Sequence, residues 1–319
     1  MLSTIDHAAG PIARRLGSAL LLLVAIVAVV FLLARLAPGD PARAILGVEA
    51  SAAEVDAERR RLGLDEPLLT QFWRYLWHAV RGNLGTSYVS GDSVSSIITG
   101  RLPVTLWLLI PSVILSWAIA VPSALIAARH RRGFLDSCVR AFTAGSIAIP
   151  TFWLGLLLIL AVALPTGLFP VGGFGTGPFG HLRSIVLPAI TLAVGIAPIQ
   201  IRVLRAEMIY ALDSGYAEAA ASRQVPGRRI MTRHALPNAV IPVIAVSAVQ
   251  AGYMLFGSVI VENTFQLPGL GSGLVMAVSQ RDYPVIDGIT LVFGALVVIF
   301  SLVGDGLTAL LDPRVRTNA

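Results

Sequence analysis

The chain has 319 residues, 55% hydrophobic and only 13% charged, against about 25% charged in soluble domains. With a mean hydropathy of +0.78, that composition excludes a disordered chain and an ordinary soluble enzyme. The length suits a polytopic membrane protein of about six spans and one sizeable loop, and the net charge of +6 reads as arginine on cytoplasmic loops rather than as a nucleic-acid surface.

A short N-terminal piece, 1–15, ends in Arg14 and Arg15 and precedes the first neutral stretch, 16–34. That stretch is long enough to cross a hydrocarbon core of about 30 Å. A secretory signal is the alternative, but the run is long and no A-x-A-like site follows, so it reads as a retained first span. Residues 35–101 are too polar to cross. Within them Ser51-Ala52-Ala53-Glu54 is a capping box opening a helix that ends at Leu62-Gly63. Asp65-Glu66-Pro67 starts a second helix. Its Leu68, Leu69, Phe72, Leu76 and Val80 recur at helical spacing, and Trp73, Tyr75 and Trp77 suit a helix lying on the outer leaflet.

The second neutral stretch is 102–128. The third begins at Ala141, and Pro165-Thr166-Gly167 breaks it, giving a span at 141–164 and then a Gly- and Pro-rich outer loop. The fourth span is 184–201, the fifth 238–261 and the sixth 288–304, leaving a tail at 305–319. The span interiors hold no Asp, Glu, Arg or His, which argues against proton- or sodium-coupled transport, where such residues serve as relays or ligands. Glu262, Asp282 and Asp287 fall outside the spans or at their rims, each a candidate to meet a substrate amino terminus. Asp305 reads as a cap or pair at the inner surface.

Arginine placement orients the spans. With both ends inside, the inner pieces 1–15, 129–140, 202–237 and 305–319 hold 14 Arg in 78 residues, and the outer pieces hold 10 in 112. That bias follows the positive-inside rule. All 24 of the Lys and Arg residues are Arg, so lysine chemistry and a G-x-x-x-x-G-K-[ST] phosphate loop are excluded. Any ATP this protein uses is bound by another chain. Cys138 has no disulfide partner, the five His residues are scattered, and no metal site is assigned.

The inner segment 202–237 is the most informative. Residues Tyr216 to Gln224, with Ala217, Glu218, Ala219, Ala220 and Arg223, favour a helix with Asp213 or Ser214 as N-cap. Val225-Pro226-Gly227 is a turn, and 228–235 form a second short helix ended near Pro237. Glu218-Ala219-Ala220 followed by Leu236-Pro237 resembles the EAA loop of ABC-importer permeases. That family's pattern places Gly where this chain has Gln224 and Ile where it has His234; Gly227 is expected to supply the positive φ instead. Arg35-Leu36-Ala37-Pro38-Gly39-Asp40-Pro41, Leu62 to Pro67, Gly82-Asn83-Leu84-Gly85, Phe265 to Gly271, Arg281-Asp282-Tyr283-Pro284 and Leu311-Asp312-Pro313-Arg314 resemble the dipeptide and oligopeptide permeases of that family.

The resemblance implies an all-α membrane protein of six spans with the type I importer fold and a small extracytoplasmic helical subdomain at 35–101. The permease core would be 102–304. It implies a non-enzymatic subunit, multi-pass in the bacterial inner membrane, driven by alternating access. Its partners would be a homologous second permease, two ATPase subunits carrying ATP and Mg, an extracytoplasmic binding protein and membrane lipid. The chain itself would hold no cofactor. The 67–81 helix becomes a possible platform for the binding protein. Peptides lead as substrate, with nickel, glutathione and other small solutes as alternatives. Tyr216, Ala217, Glu218, Ala219, Ala220, Arg223, Gln224, Val225, Pro226, Gly227, Leu236 and Pro237 would form the joint with the ATPase.

Overall fold

The computed structural model describes residues 3–47 and 49–311, with side chains from residue 17 onward. The side chains of 1–15, and Asp312, Pro313 and Arg314, lie outside the described residues. No strand forms among the described residues; Thr86 and Ser93 make one isolated antiparallel bridge. Five helices are long and apolar enough to cross a membrane, or six when one sharply bent pair counts as a single span. The described chain falls into two compact units, residues 1–105 with 268–298, and 106–267 with 299 onward.

In the first unit, α1 (Ser3–Leu36) runs into a short α2 (Pro41–Leu46). Asp40 caps α2, its carboxylate accepting from the Ala42 N–H at 3.0 Å, and Pro41 starts it where no N–H is needed. The capping box opening α3 (Ala52–Arg61) is formed: the Glu54 N–H donates to Ser51 Oγ and the Ser51 N–H to Glu54 Oε2. Gly63 closes the helix at φ 69, with Leu64 N–H bonding Arg59 O and Gly63 N–H bonding Arg60 O, the paired bonds of a Schellman turn. On α4 (Leu68–Val80), Phe72 meets Phe31 of α1 edge-on at 5.1 Å. Leu69, Trp73, Trp77 and Val80 stand exposed along the helix as one stripe.

The next helix, α5 (Val94–Arg129), is one piece and starts before the neutral stretch at 102, so 94–101 are helical. The last helix, α14, likewise runs beyond both ends of 288–304, from Tyr283 to Leu311. The core of the first unit is a cluster of Val94, Ile98, Leu270, Tyr283, Val285, Ile286 and Ile289, in which α13 (Leu270–Gln280) takes part.

In the second unit, the straight span expected at 141–164 does not form. Helix α6 (Phe134–Ala148) ends at Ile149, α7 (Thr151–Leu158) begins after Pro150, and the two bend by 104°. Ile149 is extended at φ −87, ψ 120, as the ring of a following proline demands. A π turn (Ile159–Ala163) leads into α8 (Leu164–Thr166), and Gly167 closes it at φ 60. The helix around the fourth neutral stretch is longer than 184–201: α9 runs Gly177–Leu212 through Pro188 and Pro198. Prolines survive inside membrane helices because neighbouring helices and local turns satisfy the freed backbone groups. Helix α12 (Leu236–Thr264) packs along α9. Leu204, Met208 and Ala211 of α9 and Ala239 and Val243 of α12 cluster with Ala235 and with Ala124 and Ala128 of α5, mostly small residues that let helix backbones approach closely.

Candidate functional site

The segment after α9 forms a compact knob in the second unit. The chain turns at Asp213-Ser214, where Ser214 Oγ donates to Ala211 O at 2.6 Å rather than capping the next helix. Helix α10 (Gly215–Ser222) then packs against α9 and against the stretch Ile230–Ala235, with Ala217 as its buried residue. Glu218, Ala219, Arg223, Gln224, Pro226 and Gly227 are exposed, Tyr216 is 45% exposed, and Ala220, Val225 and Leu236 are half-buried. Arg228, Arg229 and Arg233 are exposed beside them, so the outward face is predominantly cationic.

The turn after α10 differs from expectation in one respect. Gln224 itself adopts φ 58, and Gly227 is not among the positive-φ residues. Val225 N–H bonds Ala220 O at 3.2 Å and Gln224 N–H bonds Ala221 O at 2.9 Å. These are the two bonds of a Schellman turn with Gln224 at its left-handed position. The family pattern of glycine at this spot was the signal for that geometry.

Nor does Pro237 end a helix. A short α11 (Gly227–Arg229) passes into a π turn (Ile230–Ala235), and this runs directly into α12. The Leu236 N–H bonds Met231 O, five residues back. The wider turn gives room to a proline ring that would clash with the carbonyl four residues earlier in a regular helix.

Two ion pairs at this end of the unit escaped the sequence reading. Arg131 pairs with Asp213 at 2.7 Å, tying the 129–133 turn to the start of the knob. Asp136, fully buried, accepts two bonds from the Arg205 fork at 2.6 and 2.8 Å, and one from the Arg132 N–H. The pairs are 82 and 69 residues apart, beyond any local pattern.

In the first unit the scattered motifs meet. The Arg281 guanidinium donates to Pro38 O and lies against Gly39; Arg59 bridges Asp40 and Asp65, each at 3.3 Å. Asp282, 3% exposed, accepts from Ser87 Oγ at 2.5 Å and from the Tyr88 N–H at 3.0 Å. Asp287 is 2% exposed and pairs with Arg35 at 3.0 Å, while Phe31 stacks under the Arg35 guanidinium at 3.3 Å. Beside this pair lies a cavity of about 330 Å³. Glu262 is buried as well. Asp282 and Asp287 are thus spent on contacts that hold this unit together, and Asp287 also borders the cavity.

Two family models cover most of the chain: the binding-protein-dependent transport system inner membrane component over residues 120–317, and its N-terminal companion over 11–109. The chain belongs to that family. The glutathione transport system permease protein GsiC of Escherichia coli strain K12 is 37% identical over 287 residues, covering 90% of this chain and 92% of that protein. Its counterpart from Salmonella paratyphi A is 38% identical over 296 residues, covering 93% and 94%. Among solved structures, the MetNI methionine ABC transporter in an inward-facing conformation superposes with a TM-score of 0.58 at 18% identity, over 68% of this chain and 97% of that one; this likeness bears on the fold. The protein is therefore a multi-pass inner-membrane permease subunit of an ABC importer and not an enzyme, and it works with an ATPase and a binding protein.

Proposed function

We propose that this permease passes a peptide, or a small peptide-like solute such as glutathione, from an extracytoplasmic binding protein into the cytoplasm. It pairs with a homologous second permease and two ATPase subunits, which carry the ATP and Mg. Both termini and the 202–237 segment face the cytoplasm, in keeping with the arginine distribution. The observation that carries the reading is the knob. A short helix, closed by a two-bond turn and seated by Ala217, presents Tyr216, Glu218, Ala219 and Arg223 outward. A surface so fixed transmits the motion of an ATPase docked on it, whereas a loose loop would absorb it.

The test is Ala219→Trp. Ala219 is exposed, so the substitution leaves the knob's own packing alone while overfilling any joint formed on it. Overpacking costs about 1–3 kcal/mol, enough to lower ATPase-subunit co-purification or to uncouple it. Peptide uptake should fall at matched permease levels, with Phe134→Trp, 82% exposed at the start of α6, as the unaffected control. Normal uptake and normal co-purification for Ala219→Trp would remove the knob from the coupling path.

A further inference from the structure

Where α6 and α9 leave the neutral stretches, they flank an open cavity of about 290 Å³, lined by Val139, Arg140, Thr143, Ile201, Arg202 and Arg205. Its volume equals roughly ten waters at about 30 Å³ each, room for a polar group rather than a single ion. Arg205 is committed to Asp136 through its two-bond fork, which fixes the wall. Arg140 lies 3.8 Å from the same carboxylate and donates to Ser137 Oγ. Arg202 is exposed and has no ion-pair partner among the described residues. Arg205 and Arg140 thus share one carboxylate and Arg202 adds a further charge, so the cavity is cationic. Its floor is apolar: Ile201 is buried with Ala120 and Ala197, and Val139 packs on them.

We propose that this cavity binds a phosphoryl anion, with Arg140 and Arg202 as its ligands. Both are planar donors matched to two phosphate oxygens. A phospholipid headgroup and a free phosphate share this chemistry. The position at the end of the 184–201 neutral stretch, with an apolar floor, suits the headgroup of an anionic lipid. Basic pockets between membrane helices on the cytoplasmic side hold such headgroups elsewhere. The inner-leaflet address rests on the orientation proposed above; the phosphate chemistry does not.

The experiment uses the full chain purified in non-ionic detergent and exposed to equal phosphatidylglycerol and phosphatidylcholine, with retained lipid counted by native mass spectrometry. Wild type should prefer phosphatidylglycerol about thirtyfold, the factor two juxtamembrane arginines supply at their ordinary strength. Arg140→Gln with Arg202→Gln, which leaves the Arg205–Asp136 fork intact, should bring the ratio near parity. Arg228→Gln with Arg229→Gln, on exposed arginines outside the cavity, should not. Arg140→Lys with Arg202→Lys should keep part of the preference, which separates lost charge from misfolding. In a second arm, inorganic phosphate is added without lipid. A Tm rise in wild type that the Gln pair lacks, with no lipid preference, identifies a soluble phosphate as the source. Equal retention of both lipids with no phosphate effect, or a full preference in the Gln pair, overturns the proposal.

Discussion

At Gln224 the backbone sits at φ 58, where Cβ crowds the following carbonyl at a cost of about 1–2 kcal/mol. The same turn closes α3 with Gly63, which avoids that crowding. Gln224→Gly should therefore be neutral or stabilise the turn by up to about 1.6 kcal/mol, the strain relieved less about 0.4–1 for glycine's extra freedom when unfolded. Slower hydrogen exchange at the 224 and 225 amides would show the gain. Gly227→Ala should be neutral, since a Cβ there meets nothing within 4 Å. The presence of a left-handed residue near 224 was legible in the sequence; which residue adopts it was not, because propensity favours glycine and two bonds to Ala220 and Ala221 override it. A second residue-scale test uses the absence of lysine. Burial pushes the Tyr88 hydroxyl from 10.0 up to about 12 and raises Tyr75 in the same direction. A group raised on folding contributes stability that is complete below pH 10 and is lost as pH climbs through 12. No ammonium side chain titrates in that window. Phenolate absorbance should then show a late step near pH 12 that Tyr88→Phe removes, with a flatter alkaline loss of stability in the variant; an unchanged late step would contradict the assignment.

Among the elements, those set by local chemistry were readable: the capping box at Ser51, the amphipathic α4 and the turn after α10. The breaks were not. Pro150 lies inside a neutral run, and hydropathy alone cannot distinguish a straight span from two arms bent by 104°. Pro237 misled in the other direction, because a π turn absorbs it. The second arm of the bent pair meets the end of α12 through Gly155, where an added Cβ would stand 3.1 Å from the Phe265 ring and 3.2 Å from the Thr264 methyl. Gly155→Val should lower the melting temperature by overpacking, a cost of about 1–3 kcal/mol. Gly145→Ala, with open space around it, should be neutral or stabilising by about 0.5–1 kcal/mol as a helix-interior glycine. Equal melting of the two variants would show that Gly155 does not set the contact.

Over the whole molecule, the neutral spans and the arginine bias led to a membrane conduit without ionisable relays, and the family match agrees with a permease subunit whose energy comes from another chain. What composition could not reveal is that the motifs at 35–41, 62–67 and 281–284 are mutual packing partners in one unit. Some of those contacts join residues more than 200 positions apart, such as Arg281 and Pro38, and become visible only when the chain is folded. The central claim is that the exposed face of α10 is the joint with the ATPase. The direct test is a single cysteine at Ala219, with Cys138→Ser, treated with a short bifunctional thiol reagent in membranes containing the assembled transporter and single-cysteine ATPase variants. A cross-linked permease–ATPase product whose yield changes with ATP, absent when the cysteine is moved to Leu69 on α4, is the result this account predicts. A cysteine at Ala219 that never joins the ATPase, while the transporter remains assembled and active, would contradict it.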